Sequence, residues 1–232
     1  MMEERFLEEM IKSKKLIFAP TQEDILSKIP LIEERLGFKW AGLYCAGYLT
    51  AGRISELLSL ENTDLTYSMK NRQHFANISL LTLKNRKLRL RNITIPLQTE
   101  TEKALFEPFK KAMEHTIKGK VFAECATRNN IATRFSNSIS FNLKVLDFAT
   151  KKTEIKEIRL HPHLLRHFRL THMVTLYNFP AINLQFYAGW SSLEPAQTYL
   201  AISAEEQMEI FSRNQNINTI ETITIHDGKN ET

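Results

Sequence analysis

Apolar residues recur along most of this chain at three- and four-residue intervals, the spacing that places them on one face of an α-helix. A threonine with an acid three residues later is typical of a helix start, so we expect a helix to begin at Thr21 and to end or kink at Pro30. Residues 38–49 are apolar on nearly every side, which predicts a buried helix. Residues 99–118 predict an amphipathic helix that is interrupted near Pro108.

The pattern changes to that of strands between residues 75 and 97. Residues 88–91 alternate strictly between leucine and arginine, so we expect a β-hairpin with the arginines on one face and the leucines on the other. The cations of this hairpin are Lys84, Arg86, Lys87, Arg89 and Arg91. So many like charges are typical of a surface that binds a polyanion, and also of a solvated edge hairpin.

The C-terminal half returns to helical spacing. Residues 130–149 predict a helix, and residues 151–159 predict a charged loop. The inward side of that helix would carry Phe135, Ile139, Leu143 and Leu146. Pro162 suits the first turn of the following helix, because the amide that proline lacks would be unpaired there anyway. A last helix is expected to begin at Glu194.

Composition sets broad limits on the class of protein. The chain has 232 residues, 43% hydrophobic and 25% charged, so it can bury a sizeable core. Its net charge of +5 suits a local polyanion-binding surface, and equally a plain basic cytosolic protein. Cys45 and Cys125 lack paired spacing, so neither a disulfide framework nor a cysteine zinc site is expected. No signal peptide or membrane span is evident, so we expect a soluble protein of the cytoplasm.

Several polar residues stand in an order that indicates chemistry. His163 and Arg166 are three apart and share one face of their predicted helix. Trp190 lies in the sequence Gly-Trp-Ser-Ser, and Tyr199 follows it by nine residues. Each of these residues has an ordinary alternative, such as a core tryptophan or a buried tyrosine with a satisfied hydroxyl. Their order along the chain makes a shared site the better interpretation.

This block resembles the active-site block of the tyrosine recombinases, the phage integrase family. The family pattern is His-x-x-Arg, Thr-His, Gly-His/Trp-Ser-Ser, and Tyr nine residues after the His or Trp. Here the pattern is carried by His163–Arg166, Thr171–His172, Gly189–Ser192 and Tyr199. The resemblance implies a mainly α fold with a small antiparallel β-sheet, that of a tyrosine recombinase catalytic domain.

Residues 53–60 are similar to the first arginine box of the same family, and the match continues through Asp64. One departure is Ala51-Gly52, where the family has Gly-Leu. The basic hairpin is also similar to the family hairpin, which carries a catalytic lysine and ends in an apolar-Pro-Leu sequence like Ile95–Leu97. The Gly-Lys-Gly sequence around that lysine is missing here, so both Lys84 and Lys87 are candidates, with Lys84 preferred.

The resemblance implies an enzyme that cleaves and rejoins DNA through a 3′-phosphotyrosyl intermediate, without metal, ATP or other cofactor. Arg53 and Arg166 would bind the scissile phosphate, and Tyr199 would attack it. His163 would accept or orient the tyrosine proton, and Trp190 would donate its indole N–H to a phosphate oxygen or brace the site. Lys84 would protonate the leaving oxygen. The residues expected to contact DNA are Arg86, Lys87, Arg89 and Arg91. Beside this set, Glu56 is interpreted as support for an arginine, and His167 and His172 as structural.

The resemblance divides the chain into an N-terminal helix or linker (1–17), a catalytic domain (18–203) and a C-terminal helix with a flexible tail (204–232). The expected partners are double-stranded DNA and other recombinase subunits, as a tetramer on DNA, with no membrane partner. On DNA the protein would be associated with the nucleoid. Family members usually carry an N-terminal DNA-clamping domain of their own.

Other functions remain open from the residues. A type IB topoisomerase shares the chemistry, and a DNA-binding accessory protein would share the scaffold. A metal-dependent hydrolase would use His161, His163 and His167, but Leu164 stands where a zincin motif has glutamate. Integrase, chromosome-dimer resolvase and transposon recombinase are not distinguished by these motifs.

Overall fold

The computed structural model describes residues 15–84, 87–125, 128–147 and 149–200. Its helices are α1 (Gln22–Ser27), α2 (Ile29–Leu36), α3 (Phe38–Thr50), α4 (Ile54–Leu57), α5 (Glu100–Glu114), α6 (Arg128–Ser138), α7 (Pro162–Thr175) and α8 (Ala181–Ala188). Its strands are β1 (Lys15–Ile17), β2 (Leu65–Lys70), β3 (Gln73–Lys84), β4 (Lys87–Pro96), β5 (Ser140–Asp147) and β6 (Lys152–Arg159). Residues 194–200 are also helical, as predicted. Of the helix or linker predicted over residues 1–17, residues 1–14 lie outside the described residues and Lys15–Ile17 form strand β1, because they pair with β5. The segment 204–232 also lies outside the described residues.

The first helices begin and end as their sequence predicts. Thr21 caps α1: its hydroxyl accepts a hydrogen bond from the Asp24 amide, and the Asp24 carboxylate accepts one from the Thr21 amide, each at 3.1 Å. Pro30 lies in the first turn of α2, so α1 ends just before it. These two short helices lead the chain into α3.

Helix α3 is the centre of the core, and nearly all of its residues are buried. Helix α5 packs against it at Gly42, where an added Cβ would lie 2.5 Å from the Ala112 Cβ and 2.9 Å from the Pro108 carbonyl oxygen. The predicted interruption at Pro108 is wrong, because α5 continues through it. Buried residues on both sides of the proline, such as Phe106 and Phe109, hold the helix in place despite the lost hydrogen bond.

Two three-stranded antiparallel sheets flank the helices in the described part of the chain. The first has the order β2-β3-β4 and contains the predicted basic hairpin, in which Lys84 pairs with Lys87. The second has the order β1-β5-β6, and its middle strand pairs Val145 with Ile17 of β1. This second sheet was not predicted.

The second sheet corrects two predictions. The helix expected over residues 130–149 ends at Ser138, and the chain continues as β5, in which Phe141, Leu143 and Val145 are buried at every second position. That spacing is the period of a strand. The charged loop expected over residues 151–159 is strand β6, whose side chains are mostly exposed. An edge strand tolerates charge because one side of it faces water.

Candidate active site

The candidate site begins where α3 ends. Ala51 has a φ of 46°, the left-handed conformation that ends many helices, at the position where the family sequence has glycine. The Thr50 hydroxyl accepts a hydrogen bond from the Gly52 amide at 3.0 Å and holds the turn. The chain then enters α4 with Arg53 as its N-cap residue. This turn places Arg53 beside the C-terminal end of α3.

Glu56 lies at the centre of the site and is 2% exposed. Its Oε1 accepts hydrogen bonds from Arg53 Nη1 at 3.0 Å and from the Thr82 hydroxyl at 2.7 Å. Its Oε2 accepts from the Arg53 amide at 2.9 Å and from Arg91 Nη2. Burial raises the pKa of this carboxyl, but Arg91, Arg166 and Arg53 outweigh burial and lower the pKa to about 2. Glu56 is therefore a carboxylate that holds guanidiniums in place, in keeping with its interpretation as support for an arginine.

Two buried guanidiniums join the C-terminal ends of α3 and α8. Arg166 donates from Nη1 to the Ala51 carbonyl and from Nη2 to the Ala188 carbonyl, the latter at 2.7 Å. Arg91 donates from Nη1 to the Thr50 carbonyl of α3, at 3.4 Å, and to the Tyr187 carbonyl of α8. Carbonyls at the end of a helix lack partners within it and carry the negative end of its dipole, so cations stabilise them.

Trp190 completes this side of the site. Helix α8 ends at Gly189, with a φ of 69°, and the Trp190 amide donates back to the Gln185 carbonyl at 3.0 Å. The Arg166 guanidinium lies 5.7 Å from the centre of the indole ring, within range of a cation–π interaction. A Cβ added at Gly189 would lie 2.9 Å from Arg91 Cδ, so a larger residue has no room there.

His163 lies in the first turn of α7 and is half-buried. His161 caps that helix, because its ring accepts a hydrogen bond from the His163 amide at 3.4 Å, and the two imidazoles stack at 5.3 Å. Arg166 follows one helical turn later. The structure thus places His163 on the helix that carries Arg166, three residues before it.

Tyr199 is not positioned for attack in this structure. Its side chain is 1% exposed, and its ring stacks on Trp190 at 5.6 Å with 26° between the planes. Its hydroxyl lies 3.4 Å from Nδ1 of the buried His167. The sequence predicted a phenol presented to the arginines, whereas the structure places it in the interior, on the tryptophan that contacts Arg166. A role as nucleophile therefore requires the helix of residues 194–200 to move.

The two other histidines of α7 are buried within the fold. His167 Nε2 faces the Ile17 carbonyl at 3.1 Å, so Nε2 carries the proton and Nδ1 is the acceptor that faces Tyr199. His172 Nε2 faces the Pro20 carbonyl at 2.8 Å. Burial lowers the pKa of each imidazole to about 4, so both are neutral at pH 7. These contacts fit the structural role proposed for them.

The hairpin cations fall into different positions. Lys84 and Lys87 pair directly at the end of the ladder, two residues beyond the Thr82–Arg89 pair. Arg89 is exposed. Arg86 lies outside the described residues, so its expected contact with DNA stays a prediction.

Arg91 differs from the sequence prediction. It was expected on a DNA-binding face, but it is 6% exposed and is bonded to Glu56 and to helix-end carbonyls. Its neighbour Leu90 is 64% exposed. The alternation of leucine and arginine along β4 was predicted correctly. At Leu90 and Arg91, however, the leucine faces solvent and the arginine faces the core. Pairing with Glu56 explains how a guanidinium tolerates this burial.

Sequence reasoning did not find Thr82 or the helix-end carbonyls. The Thr82 hydroxyl reaches Glu56 only because β3 runs beside α4, and no local pattern indicates that approach. The strand register gives a partial signal, since Thr82 stands two residues before Lys84 on the strand that was expected to carry the catalytic lysine.

The histidines also bear on the hydrolase alternative. Over the described ranges, no group of three His, Cys, Asp or Glu residues is arranged to hold a metal ion. His161 and His163 stack on each other, whereas the ring of His167 is bonded to Ile17 in the interior. The three imidazoles of that alternative therefore do not converge.

The comparison with known families decides the identity of the chain. The sequence profile of the Phage integrase family matches residues 24–206. The chain belongs to the phage integrase family. This confirms the resemblance seen in the ordered histidine, arginine, tryptophan and tyrosine motifs. No curated protein sequence gives a significant match to the chain.

Solved tyrosine recombinases share the fold of this phage integrase family member. The XerH site-specific recombinase bound to difH substrate in a pre-cleavage complex is 19% identical, with a TM-score of 0.51, over 82% of this chain and 51% of that chain. The Tn1549 transposon integrase in complex with transposon right end DNA is 17% identical, with a TM-score of 0.51, over 85% and 66%. This chain therefore spans about half the length of the XerH chain.

These likenesses show the fold. They confirm the predicted tyrosine recombinase catalytic-domain fold, mainly α with antiparallel β-structure, although the described residues form two small sheets where one was predicted. Within the described residues, no helix is both long and apolar enough to cross a membrane.

Proposed function

We propose that this chain is the DNA-cleaving part of a site-specific recombinase, which cuts a strand and rejoins it through a 3′-phosphotyrosyl link to Tyr199, without metal or ATP. One observation carries the proposal: the guanidiniums of Arg53 and Arg91 bond the carboxylate of Glu56, and that of Arg166 bonds the same two helix ends as Arg91. Three cations and one anion leave an excess of two positive charges. That excess suits a phosphate, especially one that gains charge in a transition state.

Arg53 and Arg166 have the chemistry to hold the scissile phosphate. A guanidinium stays charged at any physiological pH and binds two phosphate oxygens in parallel. Arg53 is 26% exposed, so it is the accessible one of the two. Trp190, against Arg166, would donate its indole N–H to the same phosphate or brace the arginine.

The remaining residues would supply the nucleophile and the two proton transfers of the reaction. Tyr199 Oη would attack the phosphorus, and His163 would take the phenolic proton. The bond from phosphorus to the 5′-oxygen would break, and Lys84 would protonate that oxygen. The product is a phosphodiester between the tyrosine and the 3′ end. In the reverse step a 5′-hydroxyl attacks the same phosphorus and releases the phenol, so the bond energy is conserved and ATP is not needed.

Burial of Tyr199 adds a requirement to this mechanism. The helix of residues 194–200 has to leave its place over α7 before the phenol meets a phosphate. The contacts to be broken include the hydrogen bond of 3.4 Å to His167 and the stack on Trp190. A neutral hydrogen bond contributes about 1 kcal/mol, and an aromatic pair contributes about 1 kcal/mol. We expect binding to DNA and to other subunits to supply the energy for this movement.

The same burial favours a second candidate function. A protein that binds DNA on this scaffold but does not cleave it would have no need to expose Tyr199. Family membership and the guanidinium cluster are compatible with either function.

Covalent capture of nicked duplex DNA separates these candidates. A nick close behind the cleavage site lets the short 5′-hydroxyl strand diffuse away, so the phosphotyrosyl intermediate accumulates. We expect a protein band of lower mobility on denaturing gels that carries the 5′-end label of the strand whose 3′ phosphate is joined to Tyr199. Binding to the same DNA with no such band would support the accessory function instead.

The preference for Lys84 over Lys87 can be tested by a change of leaving group. A 5′-bridging phosphorothiolate leaves as a thiolate, which needs no proton. We expect Lys84→Ala to slow adduct formation on normal DNA by about 10²- to 10⁴-fold, the usual range for general-acid catalysis, and to react at nearly the wild-type rate on the phosphorothiolate. Lys87→Ala is the matched control. Rescue of Lys87→Ala rather than Lys84→Ala would exchange the two assignments.

Arg89 is proposed as a phosphate contact at the rim of the site, since it is exposed and pairs in the ladder with Thr82. Each phosphate contact that is lost should reduce the slope of log K against log salt by about 0.9. We therefore expect Arg89→Gln to bind duplex DNA more weakly at low salt and with a flatter salt dependence. Lys103→Gln, which removes an exposed cation of α5, is the control. An unchanged slope for Arg89→Gln would exclude this contact.

We further propose that the chain acts with other subunits as a tetramer on DNA, in the cytoplasm and associated with the nucleoid when bound. Support for DNA as the partner comes from the guanidinium cluster and the basic hairpin.

A further inference from the structure

Arg91 is a buried cation on β4, next to the exposed residues Arg89 and Leu90. Its Nη2 donates to Glu56 Oε2, and its Nη1 donates to the carbonyls of Thr50 and Tyr187. Its Cδ packs against Gly189, the residue before Trp190. One side chain of β4 therefore touches the end of α3, the carboxylate of α4 and the end of α8.

Burial of the Arg91 guanidinium is energetically unfavourable in two respects. Arg91 Nε is buried and has no hydrogen-bond partner among the described residues. Burial also lowers the pKa of the guanidinium to about 10, against the opposing effect of Glu56. A buried group that is not fully satisfied needs an explanation, and placement of functional neighbours is a common one.

The neighbours of Arg91 are the residues proposed to hold the phosphate. Glu56 bonds Arg53 through both of its carboxylate oxygens, so the position of that carboxylate sets the position of Arg53. Arg166 bonds the same two helix ends as Arg91, one residue further along each. Arg91 is thus linked to Arg53 through Glu56, and it bonds the same two helix ends as Arg166.

We propose that Arg91 is a positioning residue for strand cleavage: it fixes Glu56, and through Glu56 the guanidinium of Arg53, against the end of α8 that carries Trp190. This inference rests on the proposed function of the site. It assigns Arg91 no contact with DNA, and so it differs from the sequence prediction. It also makes the hairpin part of the active-site framework, because the strand that bears Arg91 pairs with the one that ends at Lys84.

The test compares Arg91→Gln with wild type on nicked duplex DNA, and it measures both the dissociation constant and the rate of adduct formation. A small misplacement of a catalytic group can cost about 10²-fold in rate. We expect a rate loss of about that size, with the dissociation constant changed by less than about threefold, as for a residue that makes no phosphate contact. Arg35→Gln, on α2, removes an exposed arginine that bonds a carbonyl outside the site and is the control.

Arg91→Lys is a second variant that tests the same role if Arg91→Gln does not fold. A single ammonium keeps the charge beside Glu56, but it does not reproduce the planar fork that serves Glu56 and two carbonyls at once. We expect a rate between those of wild type and Arg91→Gln. A lysine variant as fast as wild type would overturn the requirement for the fork.

The pH profile separates positioning from a purely structural role. The groups that face Glu56 are Arg91, Arg166, Arg53 and the Thr82 hydroxyl. Removal of Arg91 takes away the strongest favourable interaction, so the pKa of Glu56 should rise. The variant should then lose rate at a higher pH than the wild type as the pH is lowered, because the wild-type Glu56 pKa is about 2. A structural role alone would give a constant ratio of the two rates.

The outcomes are distinguishable from failure of the proposed function. A wild-type protein that binds DNA but forms no adduct would overturn the cleavage function, and the role of Arg91 with it. A wild-type adduct together with an undiminished rate for Arg91→Gln would overturn the role of Arg91 alone. A raised dissociation constant and a flattened salt slope would identify Arg91 as a DNA contact and would also overturn this inference.

Discussion

Replacement of Tyr199 by phenylalanine is expected to abolish the covalent adduct with nicked duplex DNA. The change removes the oxygen atom that would bond to phosphorus. Loss of the nucleophile from a covalently acting enzyme costs on the order of 10⁶ in rate, so no labelled band should be detected. The measurement is denaturing gel electrophoresis of protein incubated with end-labelled suicide substrate.

The variant should remain folded and should still bind DNA. The Tyr199 hydroxyl makes a long hydrogen bond of 3.4 Å to His167, and such a bond contributes about 1 kcal/mol. Tyr67→Phe is the matched control, because Tyr67 is exposed on β2 and its loss of a hydroxyl should leave the adduct intact. An adduct that survives Tyr199→Phe at the wild-type rate would disprove the assignment of the nucleophile.

Replacement of Glu56 by glutamine is expected to produce the largest loss of stability at the site. The change leaves the buried guanidinium of Arg91 without its counter-charge, and removal of one partner from a buried ion pair costs about 3–5 kcal/mol. The measurement is urea denaturation at pH 7. Glu100→Gln, which removes an exposed ion-pair carboxylate of α5, should change the free energy of unfolding by less than about 1 kcal/mol.

The loss of folding stability caused by Glu56→Gln should become smaller as the pH is lowered. The folded-state pKa of Glu56 is about 2, below its ordinary value of 4.5, so the carboxylate contributes stability that is complete above about pH 4.5. That contribution disappears as the pH falls from 4.5 toward 2. The difference between wild type and Glu56→Gln should narrow over this interval. A difference that stays constant down to pH 2 would show that the carboxylate charge is not its source.

Local chemistry made the helix starts and the hairpin predictable. Thr21 with Asp24 is a complete capping pattern within four residues, and the alternation of leucine with arginine over residues 88–91 is a complete strand pattern. Both depend only on neighbours in sequence. The order of the motifs also predicted that Arg53 and Arg166 share one site, and their part in cleavage stays a prediction.

Elements that depend on distant partners were not predictable in the same way. Residues 140–147 form a strand because β1 and β6 lie on either side, and helical spacing of Ile139, Leu143 and Leu146 misled the prediction. Arg91 was predicted to lie on a DNA-binding face, whereas it is buried against Glu56. The prediction failed because Glu56 is 35 residues away in the sequence. Neither fact is contained in a short window of sequence.

The position of Tyr199 was beyond sequence analysis for a different reason. The motif identifies a tyrosine with a role, but not whether the helix that carries it is docked or displaced. The structure shows the docked arrangement, in which His167 and Trp190 hold the phenol. A motif can therefore name a reactive group without describing its readiness to react.

The packing of Trp190 gives the site an optical signal of its own. The chain has two tryptophans, and Trp40 is buried in the core against Phe135, away from any expected movement. Trp190 instead has the Tyr199 ring on it and the Arg166 guanidinium nearby. Departure of the phenol would expose the indole to water and shift its emission to longer wavelength, whereas Trp40 would contribute a constant background. Intrinsic fluorescence would then follow the release of the tyrosine in real time, without any label.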